Sequence, residues 1–483
     1  MRRVSEVELE VITRLRGIIF GRSKRNNLRS RFAEGEERLR QVGFAIPPGM
    51  EDLQVALNWP AKVVSAFSSR QVPAGFISPT ATSLLDDVER VYADNNFASL
   101  ERWAIHSANQ HGCSFVFVTE GDESVGEPDA VITARTALTA TATIDPRSRR
   151  VVEALELIGQ DRVVLYLPGV QLTCVQNTTV GSWQVEEEIQ TGTRFVRCAP
   201  YVSGGSLEKP FGASRITPTV MDLTYAGART LLRQDVTAEF YQAPRLALMG
   251  ADQSVFTDPT TGRKLSPLEV LTGAVWAIPD VDPVEADELG VEPAQRRVQM
   301  QQVTQASMQP FSDQFRLIAA NLAAASSIPL QYLGVVSDSN PSSADAIRAL
   351  ENDLVYEVRG QFPSLNVGRN LLARAVLSVV HGDLGEAARN DLRQVRPDWE
   401  DPTTRSVAEQ SQMVALQTQA GNLQPGGRVA LSLLPMSQAL REAAIEENSR
   451  AQGESLMAEL AGLFDESGVD APEGVVSVAD DSE

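Results

Sequence analysis

The sequence predicts an α+β fold that is mainly helical. Short β-branched and alternating segments fill residues 113–198, which is the pattern of strands. Segments before and after this region repeat their apolar residues at helical spacing. The chain has 483 residues, 43% of them hydrophobic, so it can bury a large core without disulfides or metals. This length predicts two to four domains.

The N-terminal residues 1–45 are predicted to form a basic arm. Residues 22–31 contain five basic and no acidic residues. Such a stretch could contact nucleic acid, but a solvated helix face or an assembly contact fits it better. Further along, Leu84, Val88 and Val91, followed by Phe97 and Leu100, predict helices up to about residue 110.

An antiparallel sheet of five to seven strands is expected next. Residues 113–119 are aromatic and β-branched, and residues 131–144 alternate and are rich in threonine. Turn signals separate the segments that follow, which cover residues 151–158, 163–167, 170–176, 181–189 and 194–198.

After Pro218 the chain is predicted to be helical on both sides of an irregular insertion. The first helical segment covers residues 219–249, and the insertion covers residues 250–293. Between Lys264 and Arg296 the chain holds seven acidic residues and no basic one. A long second helix is expected from about residue 294 to 327, kinked or split at Pro310.

The C-terminal part is predicted to contain a polar loop and more helices. Residues 334–343 form the loop, and Pro363 is expected to break the helix that follows. A final helical unit covers residues 430–464. Residues 465–483 carry seven acidic residues and no basic one, so disorder is expected there.

No recognisable catalytic motif is present. The sequence has no Walker-type phosphate loop and no Gly-x-Ser-x-Gly element. His106, His111 and Cys113 form the tightest metal-capable cluster, but their spacing matches no zinc pattern. We therefore expect no cofactor, no metal and no enzymatic activity.

The composition of the chain indicates which classes of partner and which cellular compartment to expect. The net charge of −20 argues against a generic basic DNA binder. Three cysteines favour a reducing compartment. The two uncharged runs of spanning length, residues 163–185 and 317–337, contain too many polar residues for a membrane helix, so no membrane partner is expected.

Five segments, in order, resemble the portal proteins of tailed bacteriophages, in the branch common among siphophages of actinobacteria. The most specific covers residues 211–252, which begin with a Gly-x-Ser-x-Ile motif at Gly212, Ser214 and Ile216. The other segments are residues 58–76, 106–119, 320–346 and 431–462.

The resemblance implies a portal-type architecture with a β-rich wing, a two-helix stem, an inserted clip and a helical crown. Transferred to this chain, it divides the sequence into an N-terminal basic arm (1–45), the wing of helices and antiparallel sheet (46–215), the first stem helix (216–249), the clip (250–293), the second stem helix (294–328), the tunnel loop and wing helices (329–425), the crown (426–464) and a disordered acidic tail (465–483).

The resemblance also implies a function. Portal proteins form a homo-dodecameric ring at one capsid vertex, through which double-stranded DNA is packaged and ejected. The implied partners are the terminase large subunit, then head–tail adaptors, and the major capsid and scaffolding proteins. The implied location is the virion, after assembly in the host cytoplasm.

Two groups of candidate contact residues follow from this reading. The tunnel loop would place short side chains against passing DNA, namely Val335, Val336, Ser337, Asp338, Ser339 and Asn340. The acidic clip would carry the contacts to terminase and adaptor, through Asp280, Asp282, Glu285, Asp287 and Glu288.

Two alternatives stay open from the sequence. One is a metal-dependent nuclease of DNA processing that uses clustered acids such as Asp86 and Asp87. The other is a different virion structural protein, such as an adaptor or a capsid protein.

Overall fold

The computed structural model describes residues 2–37, 57–78, 82–177, 181–242, 246–249, 262–264, 299–302, 307–335, 344–382, 385–403, 407–434, 436 and 438–467. The chain divides into two compact units, Met1–Pro402 and Thr403–Glu483.

The first unit contains the four sheets of the described residues and most of the helices. Its strands are β1 (Arg2–Arg3), β2 (Pro73–Ile77), β3 (Cys113–Glu120), β4 (Ala130–Thr136), β5 (Ala140–Ile144), β6 (Val151–Leu157), β7 (Arg162–Leu167), β8 (Val170–Gln176), β9 (Trp183–Gln190), β10 (Cys198–Val202), β11 (Leu246–Met249), β12 (Gln299–Gln302) and β13 (Arg396–Trp399). Its α-helices are α1 (Glu6–Glu34), α2 (Trp59–Ser68), α3 (Thr82–Asp94), α4 (Phe97–His111), α5 (Pro218–Gln242), α6 (Gln309–Ser326), α7 (Ala344–Val380) and α8 (Glu386–Leu392).

The antiparallel strands predicted over residues 113–198 are confirmed, but they form two sheets and not one. Six strands form one antiparallel sheet in the order β1-β9-β8-β7-β6-β5, and β10-β3-β4 form a second antiparallel sheet. The mixture of these sheets with long helices also confirms the α+β, mainly helical class.

Helix α1 packs on the larger sheet and is not a separate arm. Ser5 caps it, because its side chain accepts a hydrogen bond from the Glu8 amide while the Glu8 carboxylate accepts one from the Ser5 amide. Ile12, Leu15 and Ile19 are fully or almost fully buried in the apolar cluster that the inner strands of this sheet provide. The expectation of a basic arm is therefore wrong for the described residues 2–37, since one face of the helix belongs to the core.

Helix α7 is continuous through Pro363, which the sequence predicted as a break. Val358 before the proline and Leu372 after it are fully buried, in two different apolar clusters. Burial of both halves offsets the cost of about 3 kcal/mol that an interior proline imposes on a helix. Packing therefore overrides the local signal at this position.

The two segments that flank the insertion also differ from the predicted pair of long helices. The first helix ends at Gln242, and residues 246–249 form β11. On the return, residues 299–302 form β12, and α6 begins only at Gln309, with Pro310 in its first turn. Proline suits the first turn because it lacks an N–H group that would be unsatisfied there. The helix expected from residue 294 is therefore a strand followed by a shorter helix.

The second unit contains α9 (Val407–Gln419), α10 (Arg428–Ser432) and α11 (Gln438–Ser467). The helical unit predicted over residues 430–464 is thus divided between α10 and α11. Residues 465–467, predicted as part of the tail, end α11. The rest of the predicted tail lies outside the described residues.

Candidate functional site

The sequence-predicted contact residues fall almost entirely outside the described residues. This holds for Asp280, Asp282, Glu285, Asp287 and Glu288 of the acidic group, and for Val336, Ser337, Asp338, Ser339 and Asn340 of the loop. Val335 is described and is only 7% exposed, in an apolar cluster with Leu354 and Val358. The expectation that Val335 contributes to a channel surface is therefore wrong, because its side chain belongs to the core.

The segments that enter and leave residues 250–298 lie side by side. Helix α5 packs against α6, and β11 pairs with β12 in antiparallel register. Leu246 lies opposite Gln302, and Met249 lies opposite Gln299. Neighbouring strands are separated by about 4.8 Å, so the chain enters and leaves the insertion at adjacent points. The insertion is thus attached at the end of a two-helix, two-strand support.

Trp59 joins this support to the turn that precedes the loop. Its indole Nε1 donates a hydrogen bond of 3.2 Å to the carbonyl oxygen of Leu333, and its ring centroid lies 5.1 Å from that of Phe315 on α6. On α5, a Cβ atom at Gly227 would lie 2.7 Å from the Trp59 ring, so glycine permits the close approach. One aromatic side chain therefore fixes α5, α6 and the turn at Leu330–Leu333 together.

A partly buried polar triad links the two sides of the segment 336–343. The Tyr332 hydroxyl donates to Glu351 Oε1 at 2.7 Å and accepts from Arg70 Nη2 at 2.6 Å. Arg70 Nη2 also lies 3.1 Å from Glu351 Oε1. Burial, followed by the bond to Glu351, raises the pKa of Tyr332. Because Tyr332 precedes the segment and Glu351 follows it, the triad holds both flanks at one place.

The Gly-x-Ser-x-Ile motif connects the three-stranded sheet β10-β3-β4 to α5. Gly212 has a φ of +73°, and a Cβ atom there would lie 2.1 Å from the Ser203 carbonyl oxygen. The Ser214 hydroxyl donates to the Gln110 carbonyl at 2.5 Å and accepts from the Ile216 amide at 2.9 Å. Ile216 is fully buried, two residues before α5 begins. Packing or hydrogen bonding therefore explains the residue type at each position of the motif.

Asn109 lies at the centre of the same junction. Its Nδ2 donates to Gln71 Oε1 at 2.6 Å, and its Oδ1 accepts from the Ser203 hydroxyl at 2.8 Å. Its backbone oxygen accepts from the Arg215 amide at 2.8 Å. This asparagine therefore ties α4 to the end of β10 and to the residues that start α5.

A second polar group, which is buried and consists of Arg369, Glu101 and Tyr201, was not predicted from the sequence. Arg369 Nε donates to Glu101 Oε1 at 2.9 Å, and the Tyr201 hydroxyl donates to the same oxygen at 2.7 Å. The Arg369 guanidinium also lies over the rings of Phe76 and Trp399, at 4.9 and 4.8 Å. Burial and the neighbouring Glu101 raise the pKa of Tyr201 well above its ordinary value. These residues lie far apart in sequence, so no local pattern could have indicated the group.

His106, His111 and Cys113, the tightest metal-capable cluster of the sequence, have environments that do not favour metal binding. The His106 ring Nδ1 bonds the Ser68 hydroxyl at 3.1 Å. Burial lowers the pKa of His111 to about 4 and raises the pKa of the Cys113 thiol to about 12. A thiol with a raised pKa is a poor metal ligand. Within the described part of the chain, no group of three or more His, Cys, Asp or Glu residues is arranged to hold a metal ion.

None of the helices in the described segments is long and apolar enough to cross a membrane.

Two relatives are similar to this chain over most of their length. A portal protein of Mycobacterium phage D29 is 26% identical over 401 residues, which cover 79% of this chain and 77% of the relative. A portal protein of Mycobacterium phage L5 is 25% identical over 389 residues, which cover 78% of this chain and 75% of the relative. No protein-family profile matches the sequence.

Solved structures from gene transfer agent (GTA) particles also align with the chain. A chain from the virion of a native GTA particle is 15% identical, with 83% of this chain and 93% of that chain covered and a TM-score of 0.42. A chain from the neck of an empty GTA particle, computed with C6 symmetry, is 12% identical, with 82% and 92% covered and a TM-score of 0.44.

The similarity to the two mycobacteriophage portal proteins covers 79% and 78% of this chain. The chain therefore resembles the portal proteins of tailed bacteriophages over most of its length, and the resemblance inferred from its five sequence segments is confirmed.

Proposed function

We propose that this protein is a portal protein, a structural component without enzymatic activity. It forms a homo-oligomeric ring at one capsid vertex, and double-stranded DNA is packaged and ejected through that ring. The observation that carries the proposal is the similarity to two mycobacteriophage portal proteins, which covers more than three-quarters of this chain in each case.

The support around residues 250–298 suits such a role. A portal must present a docking surface to a packaging motor and must hold that surface on a rigid base. The packing of α5 on α6 and the pairing of β11 with β12 supply a base of this kind. We assign residues 250–293 to the clip, with the terminase large subunit and later the head–tail adaptor as its partners.

The segment 336–343 is the candidate tunnel loop of this proposal. Its flanks are fixed by the Arg70–Tyr332–Glu351 triad and by the buried Val335. Flanks held in this way let a short segment project from a rigid surface. In a ring, the segment would bring Ser337, Asp338 and Asn340 of every subunit towards the passing DNA.

The overall charge is compatible with a passage for DNA. Duplex DNA carries one negative charge per roughly 1.7 Å of its axis, and a strongly basic wall would retain it. The net charge of −20 per chain opposes such retention. In this proposal the ring is a dodecamer that also contacts the major capsid and scaffolding proteins. It assembles in the host cytoplasm and is part of the virion.

The test is electron microscopy of the purified full-length protein in negative stain, with the mass of the particle measured by light scattering. We expect closed rings of twelve subunits with an open central channel. A protein that stays monomeric at all concentrations, or forms particles without a channel, contradicts the proposal. Incubation with plasmid and Mg²⁺ or Mn²⁺ should leave the plasmid intact, whereas metal-dependent cleavage would identify a nuclease.

A further inference from the structure

A cavity of about 240 Å³ lies between α1, the start of β3 and the loop before α5. Arg22, Arg25 and Arg29 line it, together with Lys209 from the loop. The three arginines are spaced by three and four residues, which places them on one face of the helix. None of the three has a carboxylate of the described chain within ion-pair distance. The acid at the rim is Glu208, whose Oε2 accepts a hydrogen bond from the Ser206 hydroxyl at 3.1 Å.

Three buried polar atoms at the same cavity have no hydrogen-bond partner in the described structure. They are Asn26 Oδ1, Arg29 Nε and His111 Nδ1. Asn26 is only 1% exposed and His111 only 6%. Buried polar groups are nearly always paired, so three orphaned atoms around one cavity indicate a ligand or bound water.

The donor and acceptor roles of these atoms can be assigned. Asn26 Nδ2 donates to the Ala137 carbonyl at 3.2 Å, so the free atom of the amide is its acceptor oxygen. Arg29 Nη1 donates to the His111 carbonyl at 3.1 Å, which leaves Nε–H as a free donor. His111 Nδ1 is a donor in one tautomer of the neutral ring. The cavity therefore offers several cationic donors and one buried acceptor.

The electrostatics favour an anion in this cavity. Burial, followed by the charge of Arg25, lowers the pKa of Arg29 to about 10. Burial and then Arg29 lower the pKa of His111 to about 4, so its ring is neutral at pH 7. An anion in the cavity would compensate the positive charge of the arginines, and it would raise the pKa values of both Arg29 and His111.

We propose that this cavity binds phosphate in a protonated form. Hydrogen phosphate has oxygens that accept from Arg25, Arg29 and His111, and a hydroxyl that donates to Asn26 Oδ1. Sulfate and carboxylates have only acceptors at neutral pH and would leave Asn26 unpaired. The proposal stands on the cavity alone and is independent of the portal function.

Isothermal titration calorimetry on the full-length protein at pH 7 tests the proposal, with inorganic phosphate, sulfate and acetate compared at equal ionic strength. We expect saturable binding of one phosphate per chain. Phosphate should bind at least about tenfold more tightly than sulfate, because a buried acceptor rejects a ligand that cannot donate to it. Glycerol 2-phosphate is mostly a dianion without a P–OH group at pH 7, so it should bind more weakly than inorganic phosphate, and equal affinity would overturn the role of Asn26. Binding of inorganic phosphate alone would assign the site to the free ion.

The variant Arg25→Gln should weaken phosphate binding by at least about tenfold, since it removes a charge-assisted hydrogen-bond donor. Lys24→Gln is the matched control, because Lys24 is exposed on the same helix and does not line the cavity. It should bind phosphate as the parent protein does. Both variants should melt at the parent temperature in phosphate-free buffer, because both side chains are exposed. An absence of saturable phosphate binding, equal affinity for sulfate, or unchanged binding by Arg25→Gln overturns the proposal.

Discussion

The hydroxyl of Tyr332 donates a hydrogen bond of 2.7 Å to the carboxylate of Glu351, across the segment 336–343 that separates them in sequence. Arg70 bonds both groups from α2's C-terminal side. The two flanks of the proposed tunnel loop are therefore joined by side chains outside the loop.

Tyr332→Phe removes this bond and keeps the ring. We expect the free energy of unfolding to fall by about 1 kcal/mol, which is the usual contribution of one such hydrogen bond. Amide exchange at residues 333–350 should accelerate as the flanks separate. Tyr356→Phe is the control, because Tyr356 is 69% exposed and should change stability by less than about 0.5 kcal/mol. Unchanged exchange in Tyr332→Phe would show that the triad does not hold the flanks.

Gly212→Ala should be among the most damaging glycine substitutions. Gly212 has a φ of +73°, and the added Cβ would meet the Ser203 and Gly112 carbonyl oxygens at 2.1 and 2.6 Å. We expect a loss of at least about 2 kcal/mol, seen as a lower urea midpoint. Gly126→Ala is a matched control, because its φ of +83° is similar and nothing lies within 4 Å of the new atom. It should cost only about 1 kcal/mol. Equal effects at both positions would exclude the close approach as the cause.

His111 should make stability depend on pH in the weakly acidic range. Burial lowers its pKa to about 4 from the ordinary value of 6.5, so the unfolded chain binds this proton more readily than the folded chain. The free energy of unfolding should therefore fall as the pH drops from 6.5 towards 4, by at most about 3 kcal/mol. Urea unfolding in phosphate-free buffer across this range measures the effect.

His111→Gln should reduce this dependence above pH 4.5 and leave the contribution of His106, whose pKa burial also lowers. The exposed His381, which bonds Asp87 at 2.8 Å, provides the control variant His381→Gln, and the slope due to His111 should persist there. Glu8 acts at lower pH, because hydrogen bonds from Arg2 lower its pKa from 4.5 to about 2. Its contribution is lost as the pH falls below 4.5, so the two effects separate. A slope in His111→Gln as steep as that of the parent protein would contradict the assignment.

Replacement of residues 250–298 by a short Gly/Ser linker should leave the rest of the chain folded. The paired strands β11 and β12 end side by side, so a short linker can join them. Circular dichroism should show a similar melting curve, and binding of the terminase large subunit in a pull-down should be lost. A second variant keeps the insertion and changes its acids to amides at Asp280, Asp282, Glu285, Asp287 and Glu288, which separates charge from shape. Terminase binding by the linker variant would remove the docking role from this segment.

Asp338→Lys tests the proposed tunnel loop. We expect the variant to assemble into rings, because the triad and Val335 that fix the loop are untouched. A ring of ammonium groups should bind phosphates and slow packaging in an in vitro assay, and the defect should ease as salt rises. Asp338→Asn, which adds no positive charge, should package close to the parent rate. Parent rates for Asp338→Lys at every salt concentration would place the loop outside the channel.

Local sequence patterns were sufficient to predict most of the strands of residues 113–202 and most of the helices. Alternation in residues 131–144 and turn signals such as Pro168-Gly169 act between near neighbours, and these strands pair largely with the next strand along the chain. The most specific family segment could be recognised because Gly212, Ser214 and Ile216 are near neighbours in sequence and interact locally before α5 begins.

The remaining features were decided by contacts between residues far apart in the chain. Residues 299–302 are a strand because they pair with residues 246–249, and α7 passes through Pro363 because both its halves are buried. Arg369 bonds Glu101, and Arg22, Arg25 and Arg29 line one cavity with His111, only once the chain has folded. Periodicity reports which face of an element is apolar, but not which distant surface covers that face. The sequence alone therefore determined the elements and the family resemblance, whereas tertiary packing decided the ends of the elements, the burial of Val335 and the phosphate-site candidate.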